Sequence, residues 1–186
     1  MRVAIDFDGT IADTNQAKAE WILSKLGLVV DPWQCDRTNC VPIIGAASYE
    51  EMADTVYERE STLATSEVSG ASDALRRLSA RGEIHVVTAR PPRRLEFARE
   101  WCLQEGILDL IQGFHSSQGT SKEEICRSIG ASALVDDDLR HLEAVRLAGL
   151  RRIHFQYGSG NAMPSTGAVV VCRSWPEVVD VLEEGI

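Results

Sequence analysis

The sequence has no apolar run approaching the ~20 residues that a membrane-spanning helix needs. Its opening, MRVAIDFDGT, lacks the basic start and continuous apolar stretch of a secretory signal. These absences predict a cytoplasmic protein that makes no contact with a membrane. Cysteine is sparse: Cys35, Cys40, Cys102, Cys126 and Cys172 are odd in number and scattered, which speaks against a disulfide framework and for reduced thiols. Cys35 and Cys40 could give two metal ligands, but no CxxC or matching His pair completes a zinc site. Basic residues are also short, 19 against 28 acidic, for a formal charge of −9. A chain without a basic footprint is a poor holder of long nucleic acid, and any anionic substrate must be drawn in by local cations against the overall field. No internal repeat is present. What remains is an ordinary globular composition over 186 residues, enough for one core with an inserted piece.

The pattern along the chain is one of short apolar strands alternating with helices. Residues 2–7 read as a buried strand that ends at two acids, Asp6 and Asp8. A different segment follows, 14–68. Ala19, Ile22, Leu23 and Leu26 fall on one helical face, with Gly27 as a stop. Asp31-Pro32 and Val41-Pro42 signal turns, and Ser48 with Glu51 signals the start of a helix running to about residue 64. After Gly70 the alternation is regular. It predicts helices at 71–81, from Pro91-Pro92 to Glu105, at 121–129, 139–148 and 175–184, and strands at 83–88, 108–114, 133–136, 151–155 and 168–172. The Gly/Ser-rich stretch 158–167 reads as a loop. Such alternation implies an α/β fold, a Rossmann-like parallel sheet sandwiched by helices. The expected division is a core of 1–13 and 69–186 with a small helical cap, 14–68, inserted after the first strand.

In such sheets ligands sit beyond the carboxyl ends of the strands, and several polar residues fall there. Asp6 and Asp8 follow the first strand, Thr88 and Arg90 end and follow another, and Asp136, Asp137 and Asp138 end a third. Lys122 opens the helix leading into that third strand. Buried carboxylates need compensation. Asp6 with Asp137 or Asp136 could hold a hard cation such as Mg²⁺. Thr88 offers a hydroxyl to a phosphate oxygen, and Lys122 offers a point charge. Arg90 either contacts the phosphate or shields the sheet edge. Asp6 could then attack phosphorus as a carboxylate nucleophile, with Asp8 moving protons. Asp138 reads as an N-cap. His85 and His154 read as strand residues, and His115 as a loop residue near the site. Trp21 is expected to pack inside the cap. Trp33 and Tyr49 could pack or stack on a nucleobase. Arg76, Arg77 and Arg81 form a solvated basic face.

The motifs DFDGT (6–10), Thr88 in VVTAR, Lys122 in TSKEE and DDD (136–138) after ALV resemble those of the haloacid dehalogenase-like superfamily, in that family's order. The resemblance implies Mg²⁺-dependent phosphoryl transfer through an aspartyl-phosphate on Asp6. It implies that the Asp8 main-chain carbonyl ligates the metal, with Asp137 as a direct ligand and Asp136 nearby. The acid at position 8 resembles that of the phosphatases and sugar phosphomutases. TAR-Pro (88–91) and the DD ending look most like the type C 5′(3′)-deoxyribonucleotidases. The expected activity is hydrolysis of a small phosphorylated metabolite, a 5′-nucleotide among the candidates. The alternatives are a sugar phosphomutase and a receiver-like phospho-acceptor module. In receivers, however, the acidic pair closes the first strand, the acceptor lies on a later strand, and the Lys comes last.

Overall fold

Val3, Ala4 and Ile5 are fully or almost fully buried, because strand β1 (Arg2–Ile5) is paired on both sides and covered on both faces. The computed structural model describes residues 1–158 and 169–184. Among them, six strands form one parallel sheet in the order β3-β2-β1-β4-β5-β6. The others are β2 (Glu83–Thr88), β3 (Ile111–Ser116), β4 (Ala133–Asp136), β5 (Arg151–Phe155) and β6 (Val169–Cys172). After β1 the chain moves outward through β2 and β3, then crosses back to place β4 on the other side of β1. That reversal opens a crevice at the carboxyl ends of β1 and β4. The stretch 159–167 of the expected loop, and Ala168 of the expected last strand, lie outside the described residues.

One face of the sheet, with Val3, Ile5 and Phe7, packs against α5 (Ala71–Ser79), α6 (Pro92–Gln104) and α9 (Trp175–Glu183). The other face, with Ala4, Val87 and Leu134, packs against α7 (Lys122–Ile129) and α8 (Leu139–Ala144). Helices α1 (Thr14–Leu26), α2 (Arg37–Ile44), α3 (Ala46–Val56) and α4 (Arg59–Ala64) lie between β1 and α5 in the chain. The first three gather around a cluster of their own that includes Trp21, Ile22, Cys35, Cys40 and Met52. Helix α4 packs against α6.

The departures from expectation concentrate in this inserted segment. Ser48 does not begin a helix: α3 starts at Ala46, and Gly45 at φ +81° makes the break from α2. The expected helix to residue 64 is interrupted at Tyr57–Glu58 and restarts as α4. Pro42 lies inside α2 rather than in a turn. The Asp36 side chain accepts from Thr38 N and Asn39 N, and Cys40 is fully buried, so cap and burial outweigh one missing N–H. The buried stripe of α1 is also rotated. Thr14, Lys18, Ala19, Trp21 and Ile22 are inside, whereas Leu23 and Leu26 are 53% and 37% exposed.

In the core, α8 stops at Ala144 instead of 148. Val145 is extended, and Arg152 Nη1 donates to the carbonyls of Leu142 and Val145, satisfying the helix end. A 3₁₀ turn at Leu108–Leu110 delays β3, which then runs to Ser116. His115 is therefore a strand residue, facing His85 at 3.2 Å. Among the described residues, no helix is long and apolar enough to cross a membrane.

Candidate functional site

Three carboxylates are delivered to the crevice by backbone alone. Asp6 follows β1 and extends its pairing, since Asp6 N donates to Val135 O at 2.8 Å. Asp136 ends β4, and Asp137 follows it. Asp6, Asp136 and Asp137 each offer a carboxylate oxygen, and these atoms lie within 4.8 Å of one another. The approach depends on Gly9. Its φ is +74°, and a Cβ there would lie 2.2 Å from Asp137 Oδ2 and 2.3 Å from Asn15 Nδ2. The turn is closed by Gly9 N on Ala12 O and by Ile11 N and Ala12 N on Phe7 O. Only glycine meets both demands, the left-handed backbone and the close side chain.

Lys122, at the start of α7, reaches into this cluster. Ser121 caps the helix in a capping box with Glu124, fixing where its first turn points. Lys122 Nζ donates to Asp6 Oδ1 at 2.5 Å and to Asp136 Oδ2 at 2.6 Å, and it is buried. Asp136 Oδ1 also accepts from Asp138 N at 3.0 Å and lies 3.3 Å from His141 Nδ1. Burial pushes Asp136 up, but the Lys122 charge and His141 outweigh it and hold its carboxyl at about 2. Asp6 goes the other way: burial, with the charges of Asp136 and Asp8, overcomes Lys122 and lifts it to about 6. Asp137 is raised well above the usual carboxylate range by burial and by Asp6 and Asp136. Asn15 Nδ2 donates to Asp137 Oδ2 at 2.7 Å.

Asp8 sits apart from this trio. Its two oxygens face Arg90, with Nε to Oδ2 at 2.8 Å and Nη2 to Oδ1 at 2.7 Å, and Thr14 Oγ1 donates to Oδ1 at 2.8 Å. Burial would raise Asp8, but the Arg90 guanidinium prevails and lowers it. The remaining Arg90 nitrogen donates to Thr62 Oγ1 of α4 at 2.8 Å, and the guanidinium lies over the rings of Phe7 and Tyr57. The expected phosphate contact of Arg90 is therefore not made by a free group: all three nitrogens are engaged and the residue is 3% exposed. Thr88 is buried at the end of β2, where its Oγ1 accepts from Arg90 N.

A cavity of about 320 Å³ covers these groups, with Asp6, Asp8, Thr88 and Asp137 on its core side and Lys18, Arg37, Tyr49 and Tyr57 on its other side. Tyr49 is buried, and Arg37 lies over its ring at 5.3 Å. Trp33 lines a neighbouring cavity of about 340 Å³ with His154, Tyr157 and Asp137. His115 lines neither of these cavities. Trp21 packs within the inserted segment. Asp138 caps α8 through Arg140 N. Arg77 and Arg81 pair with Glu183, and Arg76 with Asp73.

The sequence reading missed Thr14, Asn15, Lys18 and His141. Lys18 held the one available signal, a lysine one helical turn from Thr14 and from Ile22 on the buried stripe.

The donor set fits a small hard cation. Three carboxylates converge, two of them are poor at holding charge as they stand, and oxygen ligands of this type suit Mg²⁺. Asp137 has the more open carboxylate, while both oxygens of Asp136 are already engaged.

Neither a protein-family model nor a curated protein matches the sequence significantly. Solved structures do match the fold. A haloacid dehalogenase-like family hydrolase from Streptococcus pneumoniae shares 14% identity at a TM-score of 0.67, covering 97% of each chain. A HAD-hydrolase from Bacillus subtilis, bound to magnesium, shares 13% identity at 0.65, also covering 97% of each chain. A protein named a predicted phosphoglycolate phosphatase from Haemophilus somnus shares 15% identity at 0.63, covering 97% of this chain and 96% of its own. The narrower likeness to type C nucleotidases gains no support from these structures. At such identities the shared property is architecture, and the chain has the Rossmann-like fold of the haloacid dehalogenase-like hydrolases.

Proposed function

We propose that the protein is a Mg²⁺-dependent phosphomonoester hydrolase acting on a small phosphorylated metabolite through an aspartyl-phosphate on Asp6. The observation that carries this reading is the meeting of Asp6, Lys122, Asp136 and Asp137 at one crevice from three separate stretches of chain. Asp6 and Asp137 would hold the ion, with the Asp8 carbonyl, and Asp136 would stand behind them. When bound, Mg²⁺ supplies positive charge that draws in the phosphoryl oxygens and offsets the crowded carboxylates.

The residues themselves divide the work. Asp6 Oδ1 is committed to Lys122, and among the described residues Oδ2 accepts no hydrogen bond, so Oδ2 is the attacking atom. The Asp6 oxygen–phosphorus bond forms as the ester oxygen–phosphorus bond breaks. Lys122 holds the nucleophile's direction and faces the growing negative charge, and Thr88 donates to a phosphoryl oxygen. Asp8 gives its proton to the departing oxygen and then takes one from the water that opens the aspartyl-phosphate. The carboxylate of Asp8 is ionised and clamped on Arg90 as it stands. Proton delivery therefore requires Asp8 to come off Arg90 and take up a proton from solvent before the ester bond breaks, and that release would also free Arg90 for phosphate.

Residues 14–68 serve in this reading as a cap that selects the leaving group. A 5′-nucleotide would set its base against Trp33, which is half-buried in the neighbouring cavity that Asp137 also lines. Partners are small molecules, and long nucleic acid and membranes have no place in the reading.

The experiment is phosphate release from an aryl phosphate. Wild type should need Mg²⁺ and stop with EDTA. Asp6→Asn should lose at least roughly 10⁴-fold in turnover with an unchanged circular dichroism spectrum. Turnover that persists in both EDTA and Asp6→Asn contradicts the proposal.

A further inference from the structure

The cavity beside Asp6 is rich in cations, and all but one sit in a direct ion pair. Arg37 pairs with Glu50 at 2.7 Å, Arg94 with Glu58 at 2.9 Å, Arg90 with Asp8 at 2.7 Å, and Arg140 with Asp138. Lys122, deeper in the crevice, holds two carboxylates. Lys18 is the exception. It is 5% exposed, it lines the same cavity, and among the described residues no carboxylate oxygen lies within 4.0 Å of its ammonium.

Its hydrogen bonds go to neutral groups, Asn15 Oδ1 at 3.0 Å and the Tyr57 side chain. An ammonium has three N–H donors, so one is unspent. Burial works against the charge, but Tyr57, Tyr49 and, from beyond ion-pair distance, Asp137 and Asp8 outweigh it and keep Lys18 charged, so the cavity holds a permanent cation that lacks a direct anionic partner. The ring of Tyr57, 5.6 Å from Nζ, offers only partial compensation. The faces of the aromatic rings here are also taken: Tyr57 carries Lys18 and Arg90, and Tyr49 carries Arg37. This wall is built to meet charge and hydrogen-bond acceptors rather than to stack a flat base.

We infer that Lys18 is the leaving-group recognition residue and that the substrate is a small phosphomonoester bearing a second anion, a carboxylate, which the Lys18 ammonium receives. The inference rests on the phosphatase reading and deepens it. Asn15 joins the two ends of the cavity, accepting from Lys18 and donating to Asp137 Oδ2 at 2.7 Å. It is a positioning residue that sets the cation at a fixed place relative to the metal-holding carboxylates.

The test uses two ligand series on the full chain with Mg²⁺ present. The first series is alkyl phosphates of two to four carbons ending in a carboxylate, and the second is the same chains ending in a hydroxyl. Turnover of each is measured, together with calorimetric binding of the methylene phosphonate analogues, which cannot be hydrolysed. Wild type should favour one carboxylated length by roughly 10- to 100-fold, the range of a charge-assisted hydrogen bond. Lys18→Met and Lys18→Gln should both erase that ratio. Equal affinity for the two series, no binding of either, or Lys18 variants that weaken both series equally would overturn the inference. The last result would make Lys18 a counter-ion to the acidic cluster. Turnover of aryl phosphate without any carboxylate preference defeats this inference alone. A carboxylate preference in binding without turnover of any ester defeats the phosphatase reading alone.

Discussion

The two walls of the cavity are made by different means. On the core wall, Asp6, Thr88 and Asp136 stand at or just past the ends of adjacent parallel strands, and sheet hydrogen bonds fix their spacing. On the opposite wall, Lys18, Arg37, Tyr49 and Tyr57 come from short helices and the break between two of them, and their places are set by side chains touching side chains. Register places groups to within the spacing of a backbone ladder. Side-chain packing lets a wall be refitted without disturbing the ladder. The proposed function puts the chemistry on the first wall and the choice of substrate on the second.

The comparison can be broken most easily at its two buried lysines. Lys122→Met strands two buried carboxylates without their cation, and should cost about 3–5 kcal/mol in urea unfolding without Mg²⁺. Lys18→Met breaks no direct ion pair and should cost less, about 1 kcal/mol. Equal losses would mean that both walls are equally structural. Next in size is Gly9→Ala. It forces φ +74° on a side chain and drives a Cβ into Asp137. A loss of about 1–3 kcal/mol is expected, together with weaker Mg²⁺ binding by calorimetry; unchanged Mg²⁺ affinity would separate the turn from the ion site.

A smaller effect is expected where the walls are joined. Thr62→Val removes the partner of one Arg90 nitrogen while leaving Asp8 clamped. It should cost about 1 kcal/mol, and a double-mutant cycle with Arg90→Lys should show coupling. The smallest effect lies away from the cavity, at the half-buried His115. Burial and the neighbouring His85 lower its pKa below the ordinary 6.5. The folded state then binds fewer protons than the unfolded chain, so this contribution is present above about 6.5 and is lost as pH falls through that value toward the lower folded one. His115→Gln should flatten the fall in stability between pH 7 and 5 relative to wild type.

The difference between the walls also explains what could be read from residues alone. The alternation after Gly70 and the motifs at strand ends were legible because strand periodicity and the crevice rule are local and general. So was the gathering of Asp6, Lys122 and the 136–138 triplet, since each lies at the end of an apolar run or in a capped first turn. The inserted segment was not legible in the same way. Leu23 and Leu26 carried the apolar signal of α1, yet the helix turns Lys18 and Trp21 inward because the cavity and the cluster around Met52 lie on that side. A cap and a buried cysteine kept Pro42 inside a helix that its local signal would have ended. Arg90 could be placed near the site but not assigned a partner, because its bidentate grip on Asp8 spans 82 residues of sequence.

The most direct test of the central claim is a crystal structure with Mg²⁺ and trifluoroberyllate, a tetrahedral mimic of a carboxylate-bound phosphoryl group. The account predicts beryllium on Asp6 Oδ2, with Lys122 and Thr88 on the fluorines. It places Mg²⁺ against Asp6 and Asp137 at about 2.0–2.1 Å. Beryllium on Asp8, Asp136 or Asp137, or an ion bound without Asp6, would contradict it.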